Sequence, residues 1–163
     1  MAWWRQETPL GDAVVVVNDV GVRRLAIGAP TGLPPHDEAL DGPPERDDDI
    51  ARELDEYFAG TRRSFAVHAD LSYVDPDHFG RRVLEALTRE VPWGETVTYG
   101  ELADIVGSPR AARAVGNVMA HNPVQILLPC HRVVAAGGIG GYGSSGVEMK
   151  RALLAIEGVG TAT

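Results

Sequence analysis

The chain has 163 residues, 44% of them apolar, a formal charge of −8 and a single cysteine. One thiol excludes an internal disulfide and a thiolate-rich metal site, and the length suits one compact unit or two small ones. The start, Met1-Ala2-Trp3-Trp4-Arg5-Gln6-Glu7, has no signal-peptide-like stretch and no run is long enough to cross a bilayer, so a soluble cytoplasmic protein is expected.

From Thr8 to Ile27 the pattern is that of a hairpin: Ala13 to Val17, a turn at Asn18-Asp19-Val20-Gly21, then Val22 to Ile27. Gly28 to Asp47, with Pro30, Pro34, Pro35, Pro43 and Pro44, reads as an irregular surface loop. The negative charge sits mostly near it. Between Asp37 and Glu56 ten acids meet two bases, Arg46 and Arg52, so this segment carries the −8 and the remaining 13 acids and 13 bases cancel. The net charge therefore does not exclude a nucleic-acid partner for the rest of the chain, whose cations are almost all arginine, 14 of 15 overall. The acidic block is expected to be a solvated loop and helix start. Asp47-Asp48-Asp49 opens a helix, Ile50, Leu54 and Phe58 form its apolar face, and Gly60 ends it; Ser64 to Val67 is expected to be a third strand.

A second unit begins near Asp75-Pro76, where Asp caps and Pro takes the first helical position, and Phe79, Val83 and Leu87 form the buried stripe of a helix to about Arg89. Thr98-Tyr99-Gly100-Glu101 is a capping box for a helix that stops at Gly107. Ser108-Pro109 starts the next, Arg110 to about Ala120, so the two form a helix-turn-helix or an ordinary helical hairpin. Small residues at Ala111, Ala112, Ala114 and Gly116 surround Arg113, and Gly116 costs about 1 kcal/mol inside a helix relative to Ala, which favours close approach to another surface. Gly137 to Gly146 is a glycine-rich loop without the ending of a phosphate-binding loop. The last helix turns Val147, Leu153, Leu154 and Ile156 inward, leaves Lys150 and Arg151 outside, and reaches Glu157.

The lone cysteine, Cys130, lies in Leu128-Pro129-Cys130-His131-Arg132-Val133-Val134. Inert packing and nucleophilic catalysis are evenly matched for it, because free cysteines favour interiors whereas an adjacent His or Arg lowers the energy of a thiolate. Adjacency along the chain does not decide, since neighbouring side chains point apart.

The helix Arg110 to Ala120, Asn122-Pro123-Val124-Gln125-Ile126-Leu127-Leu128 and Pro129-Cys130-His131-Arg132-Val133 occur in one order and spacing that closely resembles the O6-alkylguanine-DNA alkyltransferases. The resemblance is strong over Val91 to Gly158 and weaker in Thr8 to Gly11 and Glu56 to Gly60. It implies an α/β N-terminal domain, residues 1–74, with a small antiparallel, ribonuclease H-like sheet, a helix and the acidic loop 28–49. It also implies a mainly α C-terminal domain, residues 75–163, with a winged helix-turn-helix-like DNA-binding motif.

The implied activity is direct-reversal repair: O6-methylguanine is flipped from duplex DNA and its alkyl group moves irreversibly to Cys130, with O4-methylthymine left open as a second substrate. His131 and Glu157 would activate Cys130 through a water, Asn122 would fix the turn into the site, and Tyr99 would press on the phosphate beside the lesion and protonate the departing base. Arg113 would replace the extruded nucleotide, with Ala112, Ala114, Gly116, Ser108 and Arg110 also at the minor groove. Met119, Val133, Tyr142 and Gly143 or Ser144 would form the pocket. The implied partner is double-stranded DNA carrying O6-alkylguanine, bound by a monomer without membrane, cofactor or metal, and clustering on DNA is left open. Two segments depart from the family pattern. The glycine loop brings Tyr142 one residue nearer Cys130, and Gly80-Arg81-Arg82 occupies a helix where Gln and other residues are common. Competing readings are a lesion-binding relative without efficient transfer and a Cys-His hydrolase, which would need an oxyanion hole.

Overall fold

A computed structural model describes residues 1–28 and 42–160 of the chain. Most of the proline-rich loop and the start of the acidic segment fall outside the described residues. The chain divides into two compact units, one formed by Met1–Asp70 with Pro123–Gln125, the other by Leu71–Asn122 with Ile126–Thr163.

The first unit is a three-stranded antiparallel sheet with one helix. Strands β1 (Ala2–Gln6), β2 (Ala13–Val17) and β3 (Val22–Ile27) lie in that order, with Trp3 opposite Val16 and Val15 opposite Leu25. The expected hairpin is present as β2 and β3. β2 is buried along its whole length, as a central strand of valines should be. Asn18 makes the turn by accepting from the Val20 and Gly21 amides. A Cβ at Gly21 would drive into the His68 carbonyl, so this position admits no side chain.

The third strand is not where the sequence pointed. Ser64 to Val67 forms bends, with a single bridge nearby between Val22 and Ala69, and the sheet is completed instead by β1. In β1 the alternation is carried by Trp4 and Gln6, which face inward while Arg5 is exposed; a buried glutamine disguises the pattern. The Gln6 amide is satisfied by the Ala51 carbonyl at 2.8 Å and the Asp55 carboxylate at 2.7 Å, both on helix α1 (Asp48–Phe58). Asp47 caps α1, accepting from the Asp49 and Ile50 amides as the acidic run suggests. Its buried stripe, however, is Ala51, Leu54 and Tyr57 rather than Ile50, Leu54 and Phe58, a rotation that brings Gln6's partners onto the sheet.

The second unit is mainly helical: α2 (Phe79–Glu90), α3 (Tyr99–Ile105), α4 (Ala112–Ala120) and α5 (Val147–Ile156), with a two-stranded parallel pair, β4 (Val97–Thr98) and β5 (Val133–Val134). α2 is capped by His78, whose Nδ1 accepts from the Gly80 amide, and not by Asp75, which closes the preceding turn on Asp77. A Cβ at Gly80 would press on the His78 ring at 3.2 Å, so the glycine of the unusual Gly80-Arg81-Arg82 run accommodates this cap. Arg81 and Arg82 are engaged at home, with Glu85 and the Val74 carbonyl and with the Val106 carbonyl. The Thr98–Glu101 capping box is present in full on α3. α4 begins two residues later than expected, because Ser108 to Ala111 closes a turn, and no side chain caps it. Among the described residues no helix is long and apolar enough to cross a membrane.

Candidate active site

Cys130 opens a single 3₁₀ turn, Cys130–Arg132, between the buried run Val124–Pro129 and β5. Ile126 enters this run with φ of 71°, a left-handed backbone rare for a β-branched residue, and is itself 2% exposed. Two residues after the end of α4, the Asn122 side chain donates to the Leu128 carbonyl at 2.8 Å and so ties that helix end to the approach to Cys130.

The turn separates its three side chains. Cys130 faces a cavity of about 110 Å³ whose walls are Tyr99, Gly116, Met119 and Ala120 on one side and Gly141, Tyr142 and Gly143 on the other. His131 and Arg132 point the other way, toward Glu157 at the end of α5. His131 Nε2 lies 2.6 Å from Glu157 Oε2, while Arg132 donates through Nε to Oε1 at 2.8 Å and through Nη2 to Oε2 at 3.2 Å. Arg132 Nη1 also holds the Val91 carbonyl at 2.8 Å. His131 is fully buried and Glu157 is 1% exposed, so this is an interior ion cluster.

Burial alone would raise the Glu157 carboxyl, but the hydrogen bonds and charges of His131 and Arg132 outweigh it and hold it at about 2. The carboxylate is therefore ionised, and the Nε2 proton of His131 is donated to it. Burial lowers His131 below its ordinary value despite that carboxylate, which leaves a neutral ring. Its second nitrogen, Nδ1, is buried without a hydrogen-bond partner among the described residues, and in this tautomer it is a proton acceptor.

The expectation that His131 and Arg132 lower the thiol directly is corrected. Burial dominates and pushes the Cys130 thiol well above its ordinary value; the groups that oppose it are the Asn122 side chain, the Lys150 charge and a backbone amide. The resting residue is a thiol. Tyr99, raised by burial and then by the Cys130 charge, is a neutral phenol.

The cavity gathers Tyr99, Gly116, Met119, Cys130, Tyr142 and Gly143 from the residues expected, and adds Gly141 and Ala120. Val133 is not on its wall; its carbonyl is held by Lys150. Ser144 lies in the 3₁₀ turn Gly143–Ser145, and its side chain is outside the described residues. Gly116 sits 3.8 Å from Tyr99 by its virtual Cβ, so its closeness is to α3 and is of ordinary van der Waals kind. On α4, Arg113 and Ala114 are exposed, as is Arg110 before it, while Ala112 and Ser108 are half-buried. None of these residues is on the cavity wall; Arg113 and Ala114 lie on the helix that contributes Gly116, Met119 and Ala120 to it.

Lys150 is the largest departure from the sequence reading. Expected outside, it is 0% exposed, and its ammonium donates to the Val133 carbonyl at 2.5 Å and the Gly141 carbonyl at 2.9 Å. The buried stripe of α5 is Lys150, Leu153, Leu154 and Glu157, at i, i+3, i+4 and i+7. That spacing was visible, as was the fact that the chain's sole lysine stands among 14 arginines. Arg132, expected only to favour the thiolate, instead bonds both carboxylate oxygens of Glu157.

Residues 78–159 match the family described as 6-O-methylguanine DNA methyltransferase, DNA binding domain. A methylated-DNA–protein-cysteine methyltransferase from Mycobacterium tuberculosis is 50% identical over 106 residues, 64% of this chain and 61% of that protein. One of that name from Methanosarcina acetivorans is 44% identical over 111 residues, 68% of each chain. The chain thus spans about three-fifths of the mycobacterial relative by sequence. The crystal structure of M. tuberculosis OGT in complex with DNA superposes with a TM-score of 0.82 at 36% identity, covering 96% of this chain and 92% of that one.

Proposed function

Because this chain belongs to the 6-O-methylguanine DNA methyltransferase family, we propose that it is a direct-reversal DNA repair protein that moves the alkyl group of O6-methylguanine onto Cys130. The observation that carries the proposal is the two-sided turn: a thiol facing an open cavity, with a neutral, carboxylate-oriented imidazole beneath it that has one acceptor nitrogen free. The O6 of guanine lies within the base stack, so the damaged nucleotide leaves the duplex before reaction. The Cys130 proton passes through a water to His131 Nδ1, and Glu157 stabilises the imidazolium. The thiolate then attacks the alkyl carbon; a C–S bond forms, the C–O6 bond breaks, and the departing guanine takes a proton from the Tyr99 phenol. The thioether is not reversed by water, so each molecule repairs one lesion.

α3 and α4 serve as the helix-turn-helix, with the small residues of α4 at the minor groove and Arg113 in the vacated stack. The exposure of Arg113, Ala114 and Arg110 supports this. The β1-β2-β3 order followed by α1 supports the ribonuclease H-like assignment of the first unit.

The test is to weigh the intact protein after incubation with duplex DNA carrying one O6-methylguanine; a gain of one methyl group on the Cys130 peptide is expected, and no gain would sink the proposal. Extrusion costs a few kcal/mol, so Arg113→Ala should slow transfer from duplex by about tenfold or more while leaving reaction with the free base nearly unchanged. Equal losses on both substrates would remove Arg113 from that role.

Gly140 offers a separate check on Tyr99. It has φ of 75°, and a Cβ there would meet Tyr99 Oη at 3.1 Å and the Ala135 amide at 3.2 Å. Gly60, which follows α1, has φ of 77° with nothing within 4 Å. Both alanine variants should lose about 1–2 kcal/mol from the left-handed backbone, and Gly140→Ala alone should also slow alkyl transfer. Transfer rates that fall together in the two variants would mean that Tyr99 tolerates displacement.

A further inference from the structure

The mechanism above makes no use of the buried ammonium of Lys150. A lysine fully removed from solvent is rare unless its charge is compensated, and among the described residues its hydrogen bonds go to two carbonyls and to no carboxylate. Those carbonyls belong to distinct parts of the site. Gly141 is on the cavity wall, and Val133 is the residue that follows the Cys130–Arg132 turn. The Tyr99 ring lies 5.8 Å from Nζ, on the third wall of the same cavity. Three segments, two of them eight residues apart and the third more than 30 residues before them, are thus gathered about one cation.

We infer that Lys150 is a positioning residue of this site, its ammonium tying the Gly141 rim to the Val133 carbonyl and supplying the positive charge toward which the Cys130 thiolate forms. Loss of the tie frees the loop that closes the cavity beside Tyr142. Loss of the charge leaves the thiolate in an interior where burial opposes it. The electrostatics are reciprocal: Lys150 favours the Cys130 thiolate, and that thiolate favours the ammonium, which burial has otherwise lowered to about 8. The ammonium keeps its proton throughout, since the thiol proton goes to His131. The other groups coupled to the pair are the Asn122 side chain, which also favours the thiolate, Tyr99 from α3, whose phenol the Cys130 charge raises, and His131, which the Lys150 charge lowers.

The inference rests on Cys130 being the nucleophile proposed above, and its test separates the two. Cys130 alkylation by iodoacetamide, which needs no DNA, is followed against pH beside methyl uptake from O6-methylguanine duplex, in wild type, Lys150→Met and Lys150→Gln. Gln retains a donor for one carbonyl without the charge. In both variants the iodoacetamide profile should move to higher pH, with a rate near neutrality about tenfold lower, as a one-unit rise in the thiol requires. Methyl uptake should fall in parallel. If Lys150→Met does not fold, Lys150→Gln decides. Profiles that superimpose on wild type, with lowered thermal stability alone, would reduce Lys150 to a packing role. A shifted iodoacetamide profile in a protein whose wild type takes no methyl from DNA would retain Lys150 and overturn the repair reading instead.

Discussion

Cys130→Ala will fold as the parent does and accept no alkyl group from DNA, a complete loss rather than a slowing. The side chain is small and 2% exposed, so its deletion resembles loss of about one buried methylene, roughly 0.5–1.5 kcal/mol. The His131–Glu157–Arg132 cluster faces away from it and is left intact. No second thiol exists in the chain to take its place. Cys130→Ser should also be inactive, since a buried hydroxyl is far harder to ionise than a thiol that already sits above its ordinary value. Intact mass after exposure to O6-methylguanine duplex, together with a thermal melt, checks both halves. Methyl uptake that persists in Cys130→Ala would move the acceptor to another side chain.

Glu157→Ala will damage both stability and transfer. Glu157 receives three hydrogen bonds from two buried partners, and its removal strands the Arg132 guanidinium in the interior. Breaking a buried ion pair from one side costs about 3–5 kcal/mol. The imidazole also loses the group that fixes its tautomer, and loss of general-base help costs on the order of a hundredfold in rate. Acid titration gives an independent reading. Glu157 is held at about 2, below its ordinary 4.5, so its contribution is complete above pH 4.5 and is lost as pH falls toward 2. His131 is lowered from 6.5, so the unfolded chain takes its proton first and stability begins to fall below that pH. Denaturant melts from pH 7 to pH 2.5 should show both losses in wild type, and Glu157→Ala should lack the lower one. A variant as stable and as acid-sensitive as wild type would mean that the cluster does not carry the fold.

Elements with their cause in neighbouring residues were legible from sequence. The hairpin turn at Asn18, the Asp47 cap and the Thr98–Glu101 box each depend on side chains within three residues of their targets. Those set by distant partners were not. β1 was hidden because its inward residue Gln6 is satisfied by a helix more than 40 positions away, and the α1 stripe turned for the same reason. At the site, the order of Cys130, His131 and Glu157 is legible through resemblance, whereas Lys150 follows the usual rule that cations face solvent and Arg132 reads only as a neighbour favouring the thiolate. Both are buried because carbonyls and a carboxylate wait for them across 9 to 41 residues of sequence.

The three residues Pro123-Val124-Gln125 have a practical consequence for anyone dividing this protein. They run alongside β3, exchanging hydrogen bonds with Leu25, and the Gln125 side chain accepts from the Ile27 amide at 2.7 Å. A fragment begun at Leu71 would keep that short segment and lose the edge it pairs with, leaving the buried Val124 and an unpaired backbone bare six residues before Cys130. Spatial compactness and genetic separability therefore part company in this chain: three residues of the first unit are encoded between Asn122 and Ile126 of the second, so no single cut divides the two.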